Sequence, residues 1–256
     1  MHHDICFRIT IFVPPRNNDN FAVIPIANRE MNLLGKCIYC NELIGEKELT
    51  KHLSGHLEEQ VQTRPSMRAS AFYIKIKSGD YFLHLLVKDN CTLRQLDHFL
   101  RNIWLDCCGH ESCFKDIHGS FAMKWELGQC MIQGMNWLYQ YDSINPTKLF
   151  VSVIGRICLA MKKNIIILSR NEPINFLCDS CKTKPAVNIF SIHDLFDDEG
   201  RYCAECSDHH TQDCPGYKDF LTLPIVNSPR VGVCRYEGGC IDKERDQVLH
   251  APKILN

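Results

Sequence analysis

"FYIKIKSGDYFLHLLVKDNCTLRQLDHFLRNIWLDCCGHESCF", residues 72–114, changes its hydrophobic period once along its length, and that change sets the fold class. "AFYIKIK" (71–77) and "YFLHLLV" (81–87) alternate around Ser78-Gly79-Asp80, which predicts a β-hairpin. Thr92 then opens a capping box with Gln95. Leu93, Leu96, Leu100, Ile103 and Cys107 recur at three- and four-residue steps, one face of a helix with Cys107 on its buried side. Gly109, free to take positive φ, is the expected stop. Three more strands are expected in "MNWLYQYD" (135–142), "KLFVSVIGRI" (148–157) and "NIIIL" (164–168), the first two joined at "SINPT". The reading is an α+β domain over 69–170: a small antiparallel sheet with packed helices.

The rest of the chain reads differently because of its cysteines, 16 in 256 residues. Apolar content of 45% and charged content of 23% are ordinary for a globular protein. Net charge is −1 and pI about 6.8, so no global cationic field collects nucleic acid or anionic membrane, and nucleic-acid binding would need a local patch. The apolar stretch near the N-terminus is broken by Arg8 and stopped by Pro14-Pro15, too short for a signal region or a membrane span of about 20 residues. That places the protein in the reducing cytoplasm, where cysteines serve as metal ligands or small buried hydrophobes. Residues 1–30, with "PPRNNDNF" (14–21), read as a flexible segment, and Met31 is a candidate natural start.

Cys37-x2-Cys40 is followed, after eleven intervening residues, by His52-x3-His56. The cysteines fit a tight knuckle and the histidines, i and i+4, share one helical face, so two thiolates and two imidazoles can close a tetrahedron around zinc. Ile44 and Leu49 supply the apolar centre of a zinc finger spanning 31–62, whose folding would draw on the metal. Its helix, "EKELTKHLSGHLEE" (46–59), carries more acid than base, so a structural or protein-contact finger is as good a reading as a base-reading one. "QTRPSMR" (62–68) is the expected linker to the central domain.

A second knuckle pair, Cys178-x2-Cys181 and Cys203-x2-Cys206, is separated by 21 residues, as in a zinc ribbon, within a 171–256 module that ends in a tail. Four thiolates leave no open coordination position, which argues for a structural metal. Two zinc ions per chain are expected. His209, His210, Cys214, Cys234 and Cys240 follow at irregular spacing; reduced thiols and surface histidines are the plainer reading, with a further site left open.

The segment from 72 to 114 resembles the plasmid open-reading-frame-three-like family, small α+β domains also described as passenger proteins of insertion elements. In that family a strand pair leads into a "TL-x-x-L-x-x-x-(I/L)" helix. A cysteine-rich, zinc-ribbon-bearing branch is more similar still: its helix reads "TL-x-x-LD-x-FLR-x-IWLECCGH-x-S-x-F", and its ending "LPVVNSPR-x-GVCGY" is matched by "LTLPIVNSPRVGVCRY" (221–236). The matching parts cover roughly 69–236. Where the family carries "YDFG" this chain has Tyr141-Asp142-Ser143-Ile144, and Arg235 stands where the branch prefers glycine. The resemblance implies fold and zinc binding rather than an activity.

A catalytic reading needs a nucleophile and a base. Cys107 or Cys108 with His110 or His98, oriented by Asp97, is the sharpest version, but a helix C-terminus disfavours a thiolate. A third metal on Cys108, His110 and Cys113 lacks a partner from elsewhere, since those three lie too close together. The chain has no GxSxG, P-loop, dinucleotide glycine pattern or HExxH, and the acidic "FDDEG" (196–200) reads as a solvated loop before a magnesium site. No catalytic residue is assigned. The expected function is a non-enzymatic zinc protein binding RNA, DNA or a ribonucleoprotein. Its basic groups would be Arg64 and Arg68 with Lys75 and Lys77, Arg156 with Lys162 and Lys163, Lys182 with Lys184, and Arg230 with Arg235; Tyr73, Tyr202 and Tyr236 would stack on bases if exposed. The alternative is a protein–protein adaptor, and the third reading a cysteine-dependent enzyme.

Overall fold

The computed structural model describes residues 33–63, 69–191, 200–213 and 221–246. The expected flexible segment 1–30, Met31, most of the linker, Asp197 and Asp198 of the acidic loop, and Cys214 lie outside the described residues. A short antiparallel pair, β1 (Leu34–Lys36) and β2 (Leu43–Gly45), leads into helix α1 (Glu46–Thr63). The expected hairpin follows as β3 (Ala69–Ser78) and β4 (Tyr81–Lys88), with Ser78 opposite Tyr81 across a turn where Gly79 takes φ +56°. Strands β5 (Ser112–Asp116), β6 (Gly119–Ser120), β7 (Asn136–Tyr141), β8 (Thr147–Leu159) and β9 (Ile165–Arg170) complete a seven-stranded antiparallel sheet in the order β6-β5-β7-β8-β3-β4-β9. The fold is α+β as expected, but the sheet is large and the helices are few. β5 was missed because its residues sit in the cysteine-rich loop, where alternation is short and polar.

The sheet buries both faces, and strict alternation along β3 shows how. Phe72, Ile74 and Ile76 face one core, joined by Leu83, Leu85 and Val87 of β4 and by the helix α2 (Leu93–Leu100). Ala71 and Tyr73 face the other, with Phe82, Leu86, Ile157 and Leu168, and this side is covered by Leu49, Leu53 and Leu57 of α1. Each of those three leucines is fully buried, worth about 1.5–3 kcal/mol relative to exposure. The finger helix therefore has a core it shares with the sheet. Gly35 is the close approach that permits it: a Cβ there would meet Ser169 Oγ at 2.6 Å and the Phe82 ring at 2.8 Å. Glu46, at the start of α1, pairs with Lys75 and, at 3.4 Å, with Lys77 of β3.

Helix α2 begins on the expected capping box, Thr92 Oγ1 accepting from Gln95 N and Gln95 Oε1 from Thr92 N. It does not run on to Cys107 in one register. From Arg101 to Leu105 it widens into a π turn, closed by Asp106 N donating to Arg101 O at 2.9 Å. The turn carries three consecutive buried side chains, Ile103, Trp104 and Leu105. Cys107 is thereby released from the helix and stands half-buried at the start of a loop, still packed against the core; Gly109, φ +76°, turns that loop rather than stopping the helix.

A short helix α3 (Leu127–Cys130) adds Leu127 to the same core and donates from Leu127 N to Cys91 O and from Gly128 N to Asp89 O, just ahead of α2. Past β9, strands β10 (Asn188–Ser191), β11 (Gly200–Tyr202) and β12 (Leu221–Pro224) form a second sheet in the order β11-β10-β12, with helix α4 (Ala204–Asp213) after β11. Residues 225–246 then return to the central domain. Asn227 exchanges amide hydrogen bonds with Asn171, Ser228 Oγ donates to Trp104 O at 2.6 Å, and Arg230 enters a buried ion pair with Asp142. The "NSPR" stretch is thus a docking element for the tail.

Candidate metal centres

Asn41, at φ +64°, and the turn after β1 present Cys37 and Cys40 toward His52 and His56 on one face of α1. The four donor atoms lie within 4.8 Å of one another, Cys40 Sγ standing 3.3 Å from His52 Nε2. Tyr39 N donates to Cys37 Sγ at 3.4 Å, while burial, the larger influence, pushes the Cys37 thiol up. A bound cation reverses that preference.

Cys178, Cys181, Cys203 and Cys206 form a second quartet within the same 4.8 Å limit. Lys182, at φ +56°, closes the first knuckle, and Cys203 and Cys206 sit at the N-terminal end of α4, where burial pushes the Cys203 thiol up to about 12 in the absence of a cation. The Thr183 side chain, with the backbone N–H of Thr183 and Lys184, draws the Cys181 thiol down to about 5. Both spacing-derived quartets are therefore brought together as donor clusters that can hold a metal ion.

A third quartet joins residues the knuckle spacings could not connect: Cys107, Cys108 and His110 from the loop after α2, and Cys234 from the returning tail. Cys108 Sγ lies 2.9 Å from His110 Nε2 and 3.5 Å from Cys234 Sγ; His110 Nε2 lies 3.2 Å from Cys234 Sγ, and the two vicinal sulfurs are 3.8 Å apart. Cys113, which sequence reasoning grouped with Cys108 and His110, is instead on β5 opposite Gln140. Cys240 Sγ contacts Asn102 Oδ1 at 3.3 Å, and neither it nor His209 belongs to a donor cluster among the described residues.

The nucleophile arrangement is not assembled as the sequence suggested. Asp97 accepts from Arg101, Ser112 and Tyr139 and orients no histidine. His98 meets Asn102 at 2.9 Å. His110 contacts Cys108 and Asp142 (3.5 Å) through the same nitrogen, Nε2, whereas a relay needs opposite ring nitrogens. Contact with Cys234, then burial, then Cys107 push the Cys108 thiol up to about 12, whereas at Cys107 burial is outweighed by the Arg230 guanidinium and the neighbouring thiols, which draw that thiol down.

The expected nucleic-acid contacts are also mostly spent within the chain. Lys75 and Lys77 pair with Glu46, Arg156 with Asp89 at 2.8 Å, Lys182 with Asp179, Lys184 with Glu205, and Arg230 with Asp142. Tyr73 and Tyr236 are buried, so neither can stack on a base; Tyr202 is half-buried against Phe190. Lys162, Lys163 and Arg235 stand exposed, and Arg64 and Arg68 lie outside the described residues. Among the described residues no helix is long and apolar enough to cross a membrane.

No family model and no curated protein matches the chain. Among solved structures, a protein of unknown function from Methanosarcina mazei Go1 is similar at 12% identity and a TM-score of 0.34, over 60% of this chain and 88% of that one. The resemblance to the plasmid open-reading-frame-three-like family rests on sequence motifs alone.

Proposed function

We propose that the chain is a cytoplasmic, non-enzymatic zinc protein that acts by binding a protein surface, its two flanking quartets holding structural zinc. Two thiolates with two imidazoles, and four thiolates, are tetrahedral donor sets that suit zinc before harder or square-planar ions. Both sets are complete without an outside ligand, which suits holding a surface in shape rather than activating water.

The observation that carries a protein partner over nucleic acid is the fate of the cations. Phosphate binding needs lysine and arginine free to release counterions, and six of the sequence-marked basic groups are already paired with carboxylates. Large apolar side chains, by contrast, are open: Ile144, Phe150, Ile117 and Ile132 are each at least 60% exposed. The nucleic-acid reading keeps one point in its favour, the adjacent exposed Lys162 and Lys163 in the β8–β9 turn.

Capture from native lysate with and without nuclease, across a salt series, separates the two. A partner retained after nuclease and little affected by salt supports the protein reading. Loss of the partner on nuclease treatment, with a steep salt slope and recovered RNA or DNA, overturns it.

A further inference from the structure

We infer that Cys107, Cys108, His110 and Cys234 form a third zinc site, a solvent-accessible clasp that fastens the returning C-terminal segment to the end of α2. The inference takes zinc from the reading of the two flanking modules but draws its ligands from a different part of the fold. A tetrahedral zinc with Zn–S of about 2.3 Å and Zn–N of about 2.0 Å sets its donors roughly 3.3–3.8 Å apart. The two sulfur–sulfur separations, 3.5 and 3.8 Å, fall in that range, and the two sulfur–nitrogen separations, 2.9 and 3.2 Å, are shorter, so zinc entry moves His110 slightly outward.

The site is built by its surroundings and is not a chance meeting of surface thiols. Arg230, fully buried, reaches Cys107 Sγ with Nη2 at 3.7 Å and Asp142 Oδ2 at 2.7 Å, placing one cation against the thiolate side of the cluster. Asp142, itself buried at φ +70°, brings the same carboxylate oxygen 3.5 Å from His110 Nε2. Tyr141 OH accepts from His110 N at 3.3 Å and donates to Asp106 Oδ1 at 3.0 Å, which in turn receives Gly109 N, so the loop is held on both sides. Cys234 and Arg235 take consecutive left-handed conformations, φ +51° and +56°, without being glycine. Such backbone persists where the surroundings over-determine it; here it turns the Cys234 sulfur onto the cluster. The partner missing for Cys108 and His110 is thus supplied from 126 residues away.

The clasp differs from the flanking modules in access. Each flanking quartet contains at least one fully buried sulfur, Cys37 in one and Cys178 in the other, whereas Cys108 and Cys234 are both exposed. A zinc ion there faces solvent and exchanges first. It bridges the loop after α2 to the segment that Ser228 and Arg230 dock, so its loss frees the chain around Cys234 while the buried ion pair stays.

The test is metal content of the full chain, purified under reductant, by native mass spectrometry and elemental analysis. Three zinc ions are expected, with one fewer in Cys234→Ser and in Cys108→Ser, no change in Cys240→Ser, and the full count kept in Cys234→His, which preserves a zinc donor. Because the readout is a difference of one ion between variants, it holds even if the flanking modules bind fewer than two. In the wild type, graded chelator should remove one zinc before the others and raise amide exchange around residues 231–240. Equal zinc in the wild type and Cys234→Ser overturns the inference. So does a Cys108–Cys234 disulfide that persists under reductant, read as a mass lower by two hydrogens.

Discussion

Arg230 donates to Asp142 across 2.7 Å with both side chains shut away from solvent, 0% and 2% exposed. The pair links the tail to the turn after β7, and it is joined by Arg230 Nη1 bonds to Asn145 O and Thr147 Oγ1. Burial raises the Asp142 carboxyl, but Arg230 and the backbone N–H groups of Ile144 and Asn145 outweigh it and hold the group at about 2. Removing the arginine strands a buried carboxylate. Arg230→Met should therefore cost about 3–5 kcal/mol in urea unfolding, and adding Asp142→Asn should recover much of it by deleting the stranded charge. A single-variant loss within about 0.5 kcal/mol, the range of surface changes, would show that the pair does not hold the tail.

His84 lies wholly buried on β4, its Nδ1 2.7 Å from Tyr73 OH and its Nε2 without a hydrogen-bond partner. Burial, with a smaller contribution from Lys75, depresses its pKa to about 3, against about 6.5 for an unfolded histidine. The unfolded chain takes up this proton below about 6.5 and the native chain does not, so His84 makes stability fall as pH drops from about 6.5 toward 3. An NMR titration should show the His84 imidazole unmoved between pH 8 and 5. An ordinary midpoint for His84 would contradict its burial.

How much of this was legible in the sequence follows from the distance each signal spans. The hairpin, the capping box and both flanking quartets depend on spacings of a few tens of residues at most, and all appear in the structure where those spacings put them. The π turn was hidden because the 3–4 periodicity through Ile103 fits a plain helix equally well. Cys234 had no knuckle partner near it; the matched ending "LTLPIVNSPRVGVCRY" set it apart from Cys240, but the contact that joins it to Cys108 and His110 is made across the fold. Burial of Tyr73 and Tyr236 likewise depends on what packs over them, α1 for one and the returning tail for the other. A clue for Tyr73 existed: it alternates with Phe72 and Ile74 in a strand apolar on both faces, the mark of a sheet covered twice.

Two glycines near α1 should respond in opposite directions. At Gly35 a methyl group would meet Ser169 Oγ, Phe82 and Leu49 within 3.0 Å, so Gly35→Ala overpacks the seam between finger and sheet and should cost about 1–3 kcal/mol. Gly55 sits exposed within α1 with nothing inside 4 Å of a built Cβ, so Gly55→Ala should stabilise by up to about 1 kcal/mol. Thermal unfolding of the two variants side by side checks both. Similar shifts would mean that α1 is not seated on the sheet.

Metal removal should unfold the molecule unevenly, because the two flanking modules rest on very different cores. Around the finger, Leu49, Leu53 and Leu57 remain packed on Tyr73, Phe82, Leu86 and Leu168 whether or not Cys37, Cys40, His52 and His56 hold an ion. Among the described residues the ribbon's buried apolar cluster is small, Ala186, Ile189, Leu223 and Ile225 with Phe176 and Val231 against it, too little to offset the ordering of its loops without a cation across the thiolates. Exhaustive chelation under reductant should therefore strip hydrogen-exchange protection from residues 178–191 and 200–207, leave α1 partly protected, and spare the β3–β4–β8 ladder. Cys181→Ser should reproduce the ribbon loss alone. Simultaneous loss of protection in ribbon, α1 and central sheet would show instead that the metals and the sheet form one cooperative unit.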